Sequence, residues 1–230
     1  SDLEEAANRL GTSESGVRAS REAANALLAK VRLYQGQYAE AASLAEGVID
    51  SGTFELADPV SVVEQEGASS ESIFAIRYQA TDNTGVNSFP SSFYLPGDLG
   101  GRGDIRGPGG IIYGFADAGQ GECTIGEDDG CSAWTAKWDS PQNADDAFVL
   151  RLSEMYLIAA EGLARTGEEG DARTYLNAVR DQANASPIAD DVTGSDLVDA
   201  IIQERRIELA FEGDRRHDLL RLERDLETST

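Results

Sequence analysis

Two stretches near opposite ends of the chain carry apolar residues at the spacing of one helix face. Between Arg21 and Tyr34 apolar positions recur every three or four residues, and a second such run follows a break at Gln35–Gln37. Ser51 and Gly52 supply a stop, because glycine readily takes the left-handed conformation that ends a helix. The pattern predicts two short antiparallel helices joined by a tight turn.

The same unit recurs toward the carboxyl end of the chain. A helical stripe runs from Leu152 to Leu163 and breaks near Gly167, and a second stripe follows from Ala172 to Val179. Each copy joins its helices through a glycine and places a small residue on the second helix, as tetratricopeptide-type repeats do. A solenoid needs at least about three repeats to bury a continuous core. We therefore expect the two copies to pack on the rest of the chain.

A third helical block begins near Ser195–Asp196, which we expect to cap it, and runs to Phe211 before Gly213 interrupts it. A last short helix is expected between Asp214 and Leu226. The fold class predicted from these patterns is mostly α, with tetratricopeptide-like helical repeats, a long irregular loop-rich insertion and little β structure.

The middle of the chain differs in kind from its ends. Ile73–Tyr78 is the one segment with a convincing strand pattern, since it is β-branched and aromatic. From Gly97 to Gly130 the chain holds 12 of its 24 glycines, and a long stretch of this kind is usually functional or disordered. Interspersed aromatic residues favour an ordered binding loop. The predicted organisation is one domain, 1–230, made of repeat helices at 1–57, a strand with a Gly-rich binding region at 58–147, and a carboxyl-terminal helical region at 148–230.

The chain is strongly acidic. It has 42 acidic and 19 basic residues, a net charge of −23, and only two lysines. This balance disfavours binding to nucleic acid, which needs positive groups to replace counterions. Dense carboxylates with little lysine are typical of surfaces in high-salt habitats, where a short Debye length screens self-repulsion. An acidic surface that repels cargo is the alternative interpretation.

Little in the sequence supports an enzyme. His217 is the only histidine, so neither a two-histidine metal site nor a metalloprotease motif can be built. With 42 acidic residues present, carboxylate pairs for sugar hydrolysis are uninformative. The glycines at 100–103 lack the strand and helix that flank a phosphate-binding loop. We expect no catalytic residues, no metal site and no cofactor.

The two cysteines, Cys123 and Cys131, lie in a turn-rich loop with seven residues between them. Their spacing allows a disulfide, which would indicate an oxidising compartment. A metal pair is the weaker alternative, because other cysteine or histidine partners are missing. The acidic run Glu127–Asp129 has the hard oxygen ligands that Ca²⁺ prefers but lacks the alternating spacing of an EF-hand, so a solvated charge run is favoured.

Aromatic residues among glycines, prolines and acids are the candidate ligand contacts. A flat aromatic face beside Asp or Arg suits a sugar ring, whose apolar C–H face lies on the aromatic ring while its hydroxyls meet polar groups. Core packing or loop anchoring is the alternative for each aromatic residue. The candidate binding residues, with the two aspartates as hydroxyl acceptors, are Phe93, Tyr94, Asp98, Arg102, Asp104, Tyr113 and Trp134.

Several stretches together resemble the SusD/RagB family of outer-membrane nutrient-binding lipoproteins. The strongest is Glu204–Arg221, which is similar to the family's ERR-x-EL-x-FEG-x-R-x-x-DL-x-R stretch. Arg151–Glu161 is similar to RLAE-x-YL-x-x-AE, with Ser153 where alanine is usual. Leu176–Arg180 resembles LN-x-VR, and Ala24–Leu56 resembles the repeat helices through LY-x-G-x-Y-x-x-A.

The resemblance implies an α-helical fold, a setting at the outer-membrane cell surface through a lipid anchor outside this chain, and binding of glycans or other nutrients. It also implies a partner, a TonB-dependent (SusC-like) outer-membrane transporter. Family members are normally about twice this long, so we expect a trimmed product or a carboxyl-terminal part of a member.

The matched carboxyl-terminal block is interpreted as structural. Its charges recur at helical spacing, so they can pair on or between helices, and such pairs matter most when buried. The residues concerned are Arg205, Arg206, Arg215 and Arg221 with Glu204, Glu208, Glu212 and Asp218. His217 stands where an aromatic residue is common, a departure that concerns structure more than binding.

The predicted function is non-enzymatic binding of an oligosaccharide or similar nutrient and its delivery to the transporter. The alternative is a tetratricopeptide-like protein-interaction adaptor without its own small ligand. A glycan-cleaving enzyme is a third class, for which the sequence offers no catalytic constellation.

Overall fold

The computed structural model describes residues 1–13, 16–59, 62, 69–77, 114–115, 133–134, 146–210 and 212–224. These residues are mostly helical, as predicted. The helices are α1 Asp2–Arg9, α2 Arg21–Tyr34, α3 Tyr38–Ile49, α4 Leu152–Thr166, α5 Glu169–Gln182, α6 Gly194–Glu208 and α7 Asp214–Arg221. The strands are β1 Ser72–Ile76, β2 Gly114–Phe115, β3 Ala133–Trp134 and β4 Ala147–Arg151.

Both predicted helical hairpins are present. Helices α2 and α3 are joined at Gly36, whose φ is +73°, and α4 and α5 are joined at Gly167, whose φ is +94°. Both values lie in the left-handed region, where glycine is tolerated and most residues are strained. The glycines that interrupt the apolar stripes in the sequence therefore predicted the positions of both turns.

Helix α4 lies at the centre of the fold. Twelve of its 15 residues are buried, because one side packs with α2, α3 and β1 while the other packs with α5 and α6. Its contact with α3 is very close at Gly162, where an added Cβ would lie 2.6 Å from the carbonyl oxygen of Tyr38 and 2.8 Å from the Cβ of Ala42. Helix α4 thus joins the two hairpins and α6 into the core of the described residues.

The sequence predicted one strand of the β1–β4 pair and missed the other. Strand β1 was expected at Ile73–Tyr78 and spans Ser72–Ile76, but its partner β4 was missed. The two strands are antiparallel, with Ile76 opposite Ala147. Because β4 runs directly into α4, its short apolar segment was absorbed into the helical pattern.

Helix ends differ in detail from the expectations. Helix α6 begins at Gly194, and its N-cap residue Thr193 makes no side-chain capping bond, so the cap expected at Ser195–Asp196 lies inside the helix. Helix α7 ends at Arg221, earlier than predicted. Helix α1 was not predicted; Ser1 and Glu4 form a complete capping box at its start, and it packs on α2.

The long loop between α5 and α6 is held by three side chains of α5. Asn177 accepts a hydrogen bond from the Ile188 N–H at 2.7 Å and donates to the Ile188 carbonyl at 3.4 Å. Arg180 donates to the Ser186 carbonyl at 2.7 Å, and Arg173 donates to the Val192 carbonyl at 2.7 Å. The LN-x-VR stretch thus has a structural role, since its polar residues satisfy backbone groups of the loop.

None of the helices in the described part of the chain is long and apolar enough to span a bilayer.

Candidate functional site

Most of the candidate binding residues lie outside the described residues. Trp134 is the exception, as the backbone of β3 includes it. The others remain predictions: Phe93, Tyr94, Asp98, Arg102, Asp104 and Tyr113. The disulfide predicted between Cys123 and Cys131 also lies outside the described residues.

Trp134 belongs to a short ladder within the Gly-rich region. Strands β2 and β3 pair antiparallel, with Trp134 opposite Gly114 and Ala133 opposite Phe115. Gly114 directly follows Tyr113 in the sequence. The backbone therefore brings Trp134 to the part of the chain that follows another candidate aromatic residue, which spacing alone did not predict.

The two ends of this region leave the scaffold side by side. Ile76 at the end of β1 is opposite Ala147 at the start of β4. Next to them, Arg77 and Asp146 form an ion pair with 3.4 Å between Nε and Oδ2, and the Asp146 side chain is 3% exposed. The Gly-rich region is therefore an insertion anchored on one two-stranded sheet.

A cluster of charged side chains lies where β1, β4 and α4 meet, and we name Arg151, Glu71, Glu208 and Glu212 the Arg151 cluster. Arg151 donates from Nε and Nη2 to the two carboxylate oxygens of Glu212, at 2.8 and 3.0 Å. It also donates from Nη1 to Glu208 at 2.6 Å and to Glu71 at 3.3 Å. All four side chains are at most 6% exposed. The cluster joins segments that are far apart in sequence.

Burial and neighbouring charges act in opposite directions on this cluster. Burial lowers the pKa of Arg151, but Glu212, Glu208 and Glu71 outweigh it and hold that pKa well above its ordinary value. For Glu71 burial dominates and raises the pKa, with Arg151 opposing and Glu208 adding to the rise. Arg151 is thus fixed as a cation, whereas Glu71 is the less firmly ionised partner.

A second buried network links α2, α4, α6 and α7. Its members alternate in sign along a line, so that four acidic groups meet four basic groups. We name it the charge chain, and its order is Asp214, Lys30, Glu154, Arg205, Asp218, Arg221, Glu161 and Arg165.

Distances along the charge chain are short at both ends and longer in the middle. Lys30 Nζ lies 2.5 Å from Asp214 and 2.9 Å from Glu154. Arg221 donates to both oxygens of Glu161 at 2.7 Å. Between Arg205 Nη2 and Glu154 Oε1 the distance is 3.7 Å. Arg205 is therefore held mainly by Asp218, 3.1 Å from its Nε.

These pairings set the protonation of the buried groups. Burial raises the pKa of Asp218, but Arg205 and Arg221 more than compensate and hold it below its ordinary value. Burial lowers the pKa of Lys30, but Glu154 and Asp214 reverse this and raise it. Both groups are thus ionised at neutral pH, as the balanced charge chain requires.

His217 takes the structural place of an aromatic residue. Its ring stacks on that of Tyr34, with 6.1 Å between centroids and 22° between planes. The guanidinium of Arg221 lies 5.8 Å from the Tyr34 ring centroid, and the Tyr34 hydroxyl donates to Asp214 at 3.2 Å. Tyr34 therefore links α2 to the α7 end of the matched motif.

The structural interpretation of the matched block agrees with these contacts. Arg205 and Arg221 pair with Asp218, while Glu208 and Glu212 pair with Arg151. Arg215 differs, since burial and Arg206 lower its pKa, opposite to the effect of an ion pair. Sequence reasoning missed Lys30 and Glu71, because each lies 80 or more positions from the charged groups with which it pairs, and no local pattern marks them.

An apolar groove lies between α1, α2 and the β1–β4 sheet. Its volume is about 240 Å³, and its lining is almost entirely apolar. Two of its side chains are well exposed, Leu27 at 38% and Val149 at 41%. The lining also includes Leu3, Leu10 and Phe74. Such a surface suits an apolar partner rather than a polar ligand.

The described residues include no group of three or more His, Cys, Asp or Glu side chains arranged to hold a metal ion.

Comparisons with known proteins agree with the resemblance seen in the sequence. Residues 132–230 match the model of the SusD family. SusD-like protein P25 of Formosa agariphila is 38% identical over 82 residues, which cover 34% of this chain and 16% of that protein.

Solved structures extend the likeness to nearly the whole chain. A SusD-like carbohydrate-binding protein of Bacteroides vulgatus superposes with a TM-score of 0.76 at 20% identity, covering 97% of this chain and 50% of its own. A SusD superfamily protein of the same species superposes with a TM-score of 0.75 at 27% identity, covering 96% of this chain and 53% of its own. The chain thus spans about half the length of these relatives. Residues 132–230 therefore match the SusD family in sequence, and the chain shares its fold with SusD-like proteins.

Proposed function

We propose that this chain is part of a non-enzymatic protein that binds an oligosaccharide or a similar nutrient. The observation that carries the proposal is the SusD-family scaffold, present together with an aromatic-rich insertion mounted on it. A structural relative with the same fold is described as a carbohydrate-binding protein. The buried charges of the described residues pair with one another, which fits a scaffold rather than a catalytic site.

The binding residues are proposed to lie in the insertion. Trp134 and its neighbours offer aromatic faces, and the nearby aspartates and Arg102 offer polar groups for sugar hydroxyls. The β2–β3 ladder supports this, since a paired backbone is a firmer base for a ring than an irregular loop. The protein would act at the outer-membrane surface, lipid-anchored outside this chain, and deliver its ligand to a TonB-dependent transporter.

A titration with a broad panel of neutral and acidic oligosaccharides tests the proposal. Calorimetry should find a ligand whose affinity falls at least about tenfold in Trp134→Ala, because a buried aromatic contact commonly contributes more than 1.4 kcal/mol. Trp138→Ala is the matched control, since it removes the other tryptophan of the same region. Equal losses in both variants, or no binding to any member of the panel, would count against a site at Trp134.

The apolar groove favours a second candidate, a protein-interaction adaptor. Exposed Leu27 and Val149 would then contact a partner protein. Co-purification of the chain with a transporter, lost in Leu27→Glu and retained in Trp134→Ala, would support this function. Retention in both variants would exclude the groove as the contact.

A further inference from the structure

Glu71 joins three segments at the junction of β1, β4 and α4. Its Oε1 accepts a hydrogen bond from the Ala57 N–H at 3.0 Å. Its Oε2 accepts from the Ser153 N–H and from Arg151 Nη1, both at 3.3 Å. The side chain is only 2% exposed. Because water cannot solvate it, the charge of Glu71 depends on these three donors.

Arg151 has nearer acceptors than Glu71 for each of its five N–H hydrogens. The Nε hydrogen goes to Glu212 at 2.8 Å, and the Nη2 hydrogens go to Glu212 at 3.0 Å and to the Glu208 carbonyl at 2.6 Å. Nη1 has two hydrogens but faces three oxygens, those of Glu208 at 2.6 Å, of the closely placed Ser153 hydroxyl, and of Glu71 at 3.3 Å. Glu71 is therefore the last acceptor on this guanidinium.

Glu71 shares its cation, Arg151, with two other carboxylates. In the part of the chain that the structure describes, Arg151 is the only cation within ion-pair distance of Glu71, and it also pairs with Glu208 and Glu212. The groups that face Glu71 are thus Arg151 from β4, Glu208 from α6 and, more distantly, Tyr156 from α4. The amino end of α4 favours a negative charge through the Ser153 N–H, but a helix end offsets only part of the desolvation of a buried carboxylate.

We propose that Glu71 is the carboxylate of the Arg151 cluster that takes up a proton from solvent as the pH falls, and that this uptake stabilises the junction. The proton bonds to one oxygen of Glu71, and the net charge of the cluster becomes more positive by one. The remaining carboxylates, Glu208 and Glu212, then share Arg151 without competition from a third.

The direction of the pH effect follows from the raised pKa of Glu71. In the unfolded chain Glu71 is protonated only below its ordinary pKa, whereas in the folded protein it is protonated at higher pH. Between these two values the folded state binds more protons, so stability increases as pH falls. The contribution is fully present below the ordinary pKa and is lost as pH rises through the folded value.

Thermal unfolding of the whole chain between about pH 5 and pH 8 tests the proposal. In the wild type the melting temperature should fall with rising pH by up to about 3–5 °C per pH unit within the window, the slope of one linked proton. In Glu71→Gln the contribution of this proton to the slope of melting temperature against pH should be absent. Glu161→Gln is the control, because Glu161 is also a buried carboxylate held at both oxygens but does not share Arg151, and its replacement should lower stability while keeping the slope.

A second measurement does not depend on how well the variants fold. Carbon-13 NMR of the Glu71 side-chain carboxyl in the wild type should show it titrating above the ordinary range of glutamate. An unchanged pH slope in Glu71→Gln would overturn the proposal. So would a Glu71 carboxyl that stays ionised down to the ordinary range.

Discussion

Arg205 illustrates how single residues hold this fold together. Its side chain is 0% exposed, and it stands between Asp218 and Glu154 in the middle of the charge chain. Burying an arginine removes it from water, and only paired carboxylates compensate for this. The distance from Arg205 to Glu154 is too long for a hydrogen bond, and both Nη atoms of Arg205 are without a hydrogen-bond partner among the described residues. Arg205 is therefore both essential to the balance of charge and imperfectly satisfied.

Replacing Arg205 should strongly destabilise the protein. In Arg205→Leu, Asp218 and Glu154 stay buried with one cation fewer, and we expect a loss of about 3–5 kcal/mol in the free energy of unfolding. Urea denaturation measures it. Arg224→Gln is the matched control, because its ion pair with Asp199 is exposed at 44% and 58%, and it should change stability by less than about 0.5 kcal/mol. Similar losses in the two variants would contradict a structural role for the charge chain.

At the scale of elements, the fold depends on how closely α3 approaches α4. The sequence predicted both helices and the small alanines between them, but it gave no reason to single out Gly162. In the structure Gly162 faces the backbone of α3 at Tyr38 and Ala42. Helices packed this tightly have no room for an additional methyl group.

Two glycine-to-alanine substitutions should change the free energy of unfolding in opposite directions. Gly162→Ala forces α3 and α4 apart and should destabilise by about 1–3 kcal/mol, despite the better helix propensity of alanine. Gly47→Ala is the control, because Gly47 is also helical but an added Cβ meets nothing within 4 Å. It should stabilise by about 0.5–1 kcal/mol. Thermal unfolding compares them, and a stabilised Gly162→Ala would refute the close contact.

For the whole molecule, the dominant property is the net charge of −23. The buried networks pair some carboxylates with arginines, yet the large acidic excess remains. Self-repulsion of this excess opposes folding at low ionic strength. We therefore retain the proposal of a surface adapted to high salt, with the charge reporting habitat more than ligand.

Unfolding against salt tests this proposal. Stability should rise steeply from about 0.1 M to about 1 M NaCl, as the Debye length falls from about 10 Å to about 3 Å. KCl should give the same rise, since screening does not depend on the identity of a monovalent cation. A flat response would mean that the acidity has another cause, such as repulsion of acidic cargo.

The elements whose signals are local were predictable from the sequence. Apolar spacing and glycine breaks located α2–α3 and α4–α5, and the long motif at Glu204–Arg221 indicated the resemblance to the SusD family that residues 132–230 confirm. The candidate ligand site at Trp134 stays a prediction, because most of its members lie outside the described residues.

Local sequence determined the two helical hairpins, their turns and the resemblance to the SusD family, because each depends on residues within a few positions of one another. Tertiary structure alone decided that β4 pairs with β1, that Arg151 meets Glu71 across 80 positions, and that Lys30 joins the α7 aspartate Asp214. Such pairings depend on which distant surfaces are buried together, and a buried charge selects its partner only once the surrounding core excludes water.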